Sequence, residues 1–344
     1  MHLLVLGGTR FLGRHLADLA LARGHRVTLL HRGRSGAGLF PQAEHLIADR
    51  NADLSALDGR RFDAVVDTSA YWPRQVRAVA ARLAGRVGHY QMVSTISVYA
   101  APDAGRLTED APLATLADPA TETVTGETYG GLKVLCEQAA VAGFGSGRCL
   151  LPRPGLLVGP HDPTERFTWW VRRLLRAAPG GELLAPGDPA AAVQFIDARD
   201  AAAWMLAQAE AGRAGAFNLT GPASPLTMGA FLETACRVLG PVTEPPRLAW
   251  VAEDFLLAQG VAPWTELPLW LPRRSDGIHR TDITRALAAG LQCRPLADTL
   301  GDTAAWARSS PLATSAEGPP RPPTGLAPER EAALLQAWRA SQRG

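Results

Sequence analysis

"LVLGGTRFLGRHL", Leu4 to Leu16, decides how the first half of the chain is read. A short apolar run ends in glycines and passes into a stretch with helical spacing, the strand–turn–helix context in which a glycine-rich loop cradles a phosphate. A GxxGxxG pattern can be laid on Gly7 and Gly13, with Arg10 where the middle glycine would stand. Gly7 and Gly13 are expected to make the tight turn and the close helix packing, and Gly8 to add backbone freedom beside the phosphates. Thr9, Arg10, Phe11 and Leu12 complete the candidate loop. A dinucleotide fold that takes the unphosphorylated cofactor carries Asp or Glu about 20 residues further on. In "TLLHRGRS", Thr28 to Ser35, that place holds His31, Arg32 and Arg34 and no carboxylate. Guanidinium groups match a phosphate with parallel hydrogen bonds, so together with Arg10 they predict a 2'-phosphate pocket and NADP as cofactor, with NAD as the alternative.

Working outward, short apolar runs alternate with amphipathic stretches. His2–Leu6, Arg26–Leu30, His45–Ala48, Ala64–Asp67, His89–Ser94 and Arg148–Leu151 read as buried parallel strands. Phe11–Arg23, Ala52–Leu57, Pro73–Leu83 and Tyr129–Val141 have helical spacing. The fold class is therefore α/β, a Rossmann-type doubly wound parallel sheet with a smaller C-terminal substrate-binding lobe. Residues 1–152 are expected to form the nucleotide-binding domain. Residues 153–308, richer in proline and tryptophan, form the second lobe, with some strands returning to the sheet. Residues 309–344 form a proline-rich arm, "SSPLATSAEGPPRPPTGLAP" (Ser309 to Pro328), and a helix Glu329–Ala340 that Leu334, Leu335 and Trp338 staple down.

The bulk numbers narrow the function classes. With 344 residues, 47% of them hydrophobic, a large enzyme core is the natural expectation. Lys and Arg number 35 against 33 Asp and Glu, a net charge of +2, which argues against a nucleic-acid or polybasic membrane surface and for a small-molecule partner. Cys136, Cys149, Cys236 and Cys293 have no metal-ligand or CxxC spacing, so no metal is expected and a reducing, cytoplasmic setting is. No run approaches the ~18 apolar residues of a membrane span.

"GETYGGLKVLCEQ" puts Tyr129 and Lys133 four residues apart, on one face of a helix. A phenol with a pKa of about 10 is a weak acid or base at neutral pH, and an adjacent ammonium is expected to bring it toward working range. "STISVYA", Ser94 to Ala100, places hydroxyls at the C-terminal end of a strand, where ligands bind in open α/β sheets.

With these pieces in order, the chain resembles the extended short-chain dehydrogenase/reductases, the NAD-dependent epimerase/dehydratase family, and among them bacterial isoflavone-reductase-like members. The resemblance rests on "GGTRFLG" (Gly7–Gly13), "DTSA" (Asp67–Ala70), "STISVY" (Ser94–Tyr99), "YGGLK" (Tyr129–Lys133), "RPGLLVGP" (Arg153–Pro160), "QFIDARD" (Gln194–Asp200) and "FNLTGP" (Phe217–Pro222). It implies that Tyr129 is the acid/base and that Lys133 lowers its pKa and holds the ribose. Thr95, with Ser94 as the fallback, orients the substrate oxygen. It also implies that Asp49, with Arg50 beside it, meets the adenine, that Ser69 and Ala70 line the cofactor cleft, that Pro154 approaches the nicotinamide, and that a homodimer forms through the helix carrying Tyr129. Where nucleotide-sugar enzymes of the family carry Asn after the strand arginine, this chain has Gly155, Leu156 and Leu157. Tyr71, His161, Trp169 and Trp170 are the candidate substrate contacts, an aromatic wall suited to a ring-containing molecule.

The leading expectation is an NADP(H)-dependent reductase or dehydrogenase acting on a carbonyl, enone or alcohol. An epimerase or dehydratase of a sugar or nucleotide sugar is the alternative, and a non-catalytic RNA-binding or scaffold member of the fold is the third reading.

Overall fold

Seven parallel strands make the central sheet of the computed structural model, which describes residues 1–36, 38–101, 105–310 and 324–343. They are β1 (His2–Leu6), β2 (Arg26–His31), β3 (Glu44–Ile47), β4 (Phe62–Asp67), β5 (Val87–Met92), β6 (Cys149–Pro154) and β7 (Gly215–Leu219). Their order is β7-β6-β5-β4-β1-β2-β3, with every neighbouring pair parallel. Continuous apolar runs such as "HLLVL" and "AVV" suit strands covered on both faces. The order reverses between β1 and β4, and a doubly wound sheet opens its ligand crevice at that switch point.

Helices α1 (Phe11–Ala22) and α5 (Ala198–Glu210) pack against each other, as do α2 (Pro73–Leu83) and α3 (Tyr129–Phe144). The core between α2, α3 and the sheet is aliphatic with one aromatic stack. Leu4, Leu6, Val65, Val76, Val79 and Leu83 are sealed from solvent, and Tyr90 stacks on Phe144 at 4.0 Å between centroids. The expected helix Ala52–Leu57 is only a 3-10 turn, Ser55–Leu57. The Asp53 carboxylate accepts from both the Ser55 N–H and its hydroxyl, a local bond that competes with helix continuation.

The chain divides into two compact units, the first comprising Met1–Leu157, Ala198–Ala223 and Thr281–Cys293, the second Val158–Asp197, Ser224–Arg280 and Arg294–Gly344. The second unit holds α4 (Thr168–Leu175), α6 (Met228–Leu239) and a parallel strand pair, Glu182–Pro186 with Arg247–Val251. Its core is aromatic: Phe167, Phe195 and Phe231 meet with centroids 5.2–5.7 Å apart, and Trp170 sits edge-on to Phe231. A helix Pro328–Ser341 carries Glu331 inward, where its carboxylate accepts from Arg173 and from the Leu184 N–H. Residues 311–323 of the expected proline-rich arm lie outside the described residues. No helix among the described residues is long and apolar enough to cross a membrane.

Candidate active site

The glycine turn stands at the switch point and is packed too closely for side chains. Gly7 has a φ of +92°, and a Cβ there would lie 2.7 Å from Thr68 Oγ1 on the loop after β4. At Gly13 a Cβ would overlap the Gly7 carbonyl oxygen, so the helix starts against the turn itself. Gly8 acts otherwise than expected: its missing Cβ makes room for Leu29 of β2, whose Cδ2 would be 2.5 Å away, so its job is packing against the sheet. Arg10 occupies the cap position of α1 in extended backbone, with no side-chain cap and no acidic residue in the first turn. The first-turn N–H groups therefore meet an anionic ligand without a competing carboxylate. Thr9 Oγ1 and Ser35 Oγ are 3.1 Å apart, so the turn carrying Arg10 lies against the loop carrying Arg32 and Arg34, and all three arginines are exposed. Phe11 takes a left-handed φ of 37° as it enters α1, and Leu12 is buried. This cradle fits a dinucleotide pyrophosphate.

At the far side of the switch point, Ser69 and Ala70 follow β4. Asp49, at the end of β3, accepts the Asn51 N–H on its side chain and the Ala52 and Asp53 N–H groups on its carbonyl. Arg50 turns inward instead of facing a ligand. It pairs with Asp67 through two hydrogen bonds of 2.6 and 2.7 Å and donates to Ser69 Oγ at 2.9 Å. Asp67 is sealed from solvent and also accepts from Tyr90 and from the Ser69 N–H. Burial alone would push its carboxyl up, but the Arg50 guanidinium outweighs it and holds Asp67 below the usual carboxylate range.

Tyr129 opens α3 with its phenol beside Thr95, the residue that follows β5 by three positions. Thr95 Oγ1 donates to Ser97 Oγ at 3.2 Å and accepts the Ser97 N–H at 3.1 Å. Lys133, one turn further along α3, is buried and donates to the carbonyl oxygens of Ala70 at 2.8 Å and Val93 at 2.5 Å. The expected depression of the tyrosine pKa is not found. Burial, followed by the neighbouring Tyr71, pushes the Tyr129 phenol up to about 12, with the Thr95 side chain pulling the other way. Lys133 is itself lowered by burial, against the pull of Cys136, Asp67 and Glu137. Its ammonium is turned toward the two carbonyls, which is why it does not govern the phenol.

Ser94, the fallback hydroxyl, is committed elsewhere: it donates to Glu137 of α3 at 2.5 Å. Glu137 in turn receives Arg153 of β6 through Nε at 2.9 Å and Nη2 at 2.7 Å, and Arg153 Nη1 donates to Tyr99 Oη. Tyr99 donates to Asn218 of β7, whose backbone N–H reaches Glu109. This buried network joins β5, α3, β6 and β7 behind the reactive face. Single-sequence reading missed Glu137 and Gln75, although Glu137 follows Lys133 at the same four-residue interval that singled out Tyr129 and Lys133. Gln75 accepts the Tyr71 and Trp72 N–H groups, fixing a loop that puts the half-exposed Tyr71 ring 6.3 Å from that of Tyr129. Pro154 ends β6 in register with Leu219.

In the second unit, Trp169 and Trp170 are corrected to core residues. Trp170 is sealed from solvent with its indole donating to the Pro268 carbonyl, and Trp169 is 8% exposed and packs on it. His161 has a left-handed φ of 70° and its ring meets Trp306 at 5.5 Å. Its neighbour Asp162 is the more unusual group: fully buried, it accepts the Thr164 N–H and hydroxyl, and burial pushes its carboxyl up to about 6. A folded-state pKa raised above the unfolded value means stability that is complete below about pH 4 and lost as pH rises through 6. Asp162→Asn is therefore expected to unfold at higher denaturant than wild type at pH 8, by about 3 kcal/mol, and to match it near pH 4. Equal stability at pH 8 would contradict this. Among the described residues no group of three or more His, Cys, Asp or Glu is placed to hold a metal.

The NAD dependent epimerase/dehydratase family model matches residues 3–220, from β1 to the end of β7. The chain belongs to this family. Solved structures with the same fold include an epimerase-class protein from Burkholderia cenocepacia J2315 (TM-score 0.65, 21% identity, 90% of this chain and 98% of that one). UDP-glucuronic acid 4-epimerase from Bacillus cereus, in complex with NAD, aligns with TM-score 0.63 at 16% identity over 92% and 99%. A human epimerase family protein with NADPH aligns with TM-score 0.59 at 20% identity over 89% and 99%. No curated protein matches the sequence. Solved structures of this fold thus include one with NAD and one with NADPH.

Proposed function

We propose that this epimerase/dehydratase family protein is an NADP(H)-dependent reductase of a small, ring-containing carbonyl or enone. The observation that carries the reading is the placing of Tyr129, at the start of α3, beside Thr95 after β5 and 6.3 Å from the exposed Tyr71 ring. A protonated phenol is the form that gives a proton to a substrate oxygen, the half of the reaction the protein itself must supply. Gly7, Gly13 and the start of α1 would hold the pyrophosphate, Lys133 the ribose by giving up its long contact with the Met92 sulfur at 3.7 Å, and Arg10, Arg32 and Arg34 the 2'-phosphate. Bound in its reduced form, the cofactor supplies the hydride to the carbonyl carbon. Thr95 orients the carbonyl oxygen, the Tyr129 O–H bond breaks, and its proton completes the alcohol. The exposed Tyr71 ring beside Tyr129 supports a planar substrate at this face.

The family match favours a second reading, an epimerase or dehydratase that oxidises and re-reduces a sugar with cofactor it keeps. The two separate in one assay. Purified protein, mixed with NADPH and a panel of aromatic and alicyclic ketones and enones, is expected to consume NADPH stoichiometrically with alcohol formed. Cofactor released only on denaturation, with no consumption of added NADPH, would sink the reductase in favour of the second reading.

A further inference from the structure

Two histidines close the loop that carries Arg32 and Arg34. His31 is the last residue of β2, and His45 stands on β3. Their rings meet edge-on, His31 Nε2 and His45 Nδ1 lying 2.8 Å apart. The outer bonds fix every proton between them. The Gly33 N–H can only donate, so His31 Nδ1 accepts it at 3.1 Å and the His31 proton sits on Nε2. The Phe40 carbonyl can only accept, so His45 Nε2 carries its proton toward it at 3.1 Å, leaving Nδ1 to accept from His31. Burial, with His45 beside it, lowers the His31 pKa, which keeps that ring neutral as this direction requires.

The result is one continuous line of hydrogen bonds, Gly33 N–H to His31 to His45 to Phe40 C=O, stitched across the neck of the loop between β2 and β3. Phe40, at the far end of that line, is buried in a left-handed conformation (φ 54°) that a side chain adopts at a cost. Within the loop, Ser35 meets Thr9 of the glycine turn, and a Cβ on Gly36 would lie 3.0 Å from the Thr9 Cβ. The loop is thus held at its neck by the histidines and pressed against the phosphate turn by Ser35 and Gly36.

We propose that the His31–His45 pair is a clamp that sets the position of Arg32 and Arg34, and so determines the preference for a 2'-phosphorylated cofactor. The inference rests on the NADP reading above. The histidines touch no ligand; they are positioning residues that act through the loop.

The test uses the full chain and needs no substrate. His45→Phe keeps a ring of similar size and removes both of its hydrogen bonds, whereas His45→Gln has a carbonyl to accept from His31 and an amide to reach Phe40. Losing two hydrogen bonds at the neck is expected to weaken NADPH about tenfold in His45→Phe, while NADH changes less than about twofold and His45→Gln stays near wild type. Limited trypsin digestion, read by mass spectrometry, is expected to cut after Arg32 and Arg34 faster in His45→Phe than in wild type or His45→Gln. Equal weakening of NADPH and NADH in His45→Phe would reduce the pair to general support and overturn its role in cofactor choice. Unchanged cleavage would overturn the clamp itself. A wild-type protein that binds NADH and NADPH alike would instead defeat the NADP reading, and the cleavage comparison would still decide whether the clamp exists.

Discussion

Tyr129→Phe is expected to lower NADPH-dependent turnover of the best ketone in the panel by about 10²–10⁴-fold, the range that one positioned proton donor contributes. Cofactor affinity should move less, because the residues expected to hold NADPH lie on the glycine turn, the β2 loop and Lys133. The substitution keeps the ring beside Tyr71 and removes only the hydroxyl next to Thr95. Stability should therefore fall by no more than about 1 kcal/mol, the worth of one hydrogen bond. The measurement is a kcat and a NADPH Kd on each protein, with thermal unfolding as the control. Turnover that survives intact with the true substrate would remove Tyr129 from the chemistry, and with it the proton-donor role that the proposed reductase gives it. A loss confined to KM would mean that the hydroxyl only binds substrate.

The second large effect belongs to Arg50. It is the counter-charge of Asp67, which has no exposure to solvent. Arg50→Met leaves that carboxylate buried and uncompensated, and breaking a buried pair from one side costs about 3–5 kcal/mol. The pH dependence gives this its sign. In the wild type the Asp67 carboxyl sits below the usual range, so the stability it brings is present at neutral pH and lost only as pH falls through that lowered value. In the variant burial acts unopposed, the pKa rises, and the buried charge is relieved by protonation as pH falls. Urea unfolding should show the largest gap between the two proteins at pH 7 and a narrowing gap toward pH 5. A gap of the same size at both pH values would show that the lost stability is packing and not charge. Adding Asp67→Leu to Arg50→Met should recover part of the loss at pH 7, since a buried pair replaced by apolar groups is often neutral.

How far the sequence carried these conclusions differs by residue. Pro73–Leu83 is a helix over the residues read for it, and the strands and other helices, apart from Ala52–Leu57, agree to within a few residues at their ends, because short apolar runs and 3.6-residue spacing are local signals. Tyr129 and Lys133 were legible because one helix turn separates them, and the meeting of Tyr129 with Thr95 followed from placing hydroxyls at a strand end. Gly7 and Gly13 were legible because the strand–turn–helix context limits what a glycine there is for.

By itself, then, the sequence determined the α/β class, the family and the glycine turn, and it singled out Tyr129 and Thr95 as the pair on which the proposed function rests. The tertiary structure decided which way the buried polar groups point. Arg50 faces Asp67, Ser94 faces Glu137, Lys133 faces two backbone carbonyls, Trp170 faces the core, and His31 faces His45. These partners lie on different strands and helices, and which of them meet depends on strand order and register. The physical reason is that periodicity assigns a side chain to a face of its own element, whereas a hydrogen-bond partner belongs to whichever element the sheet lays beside it.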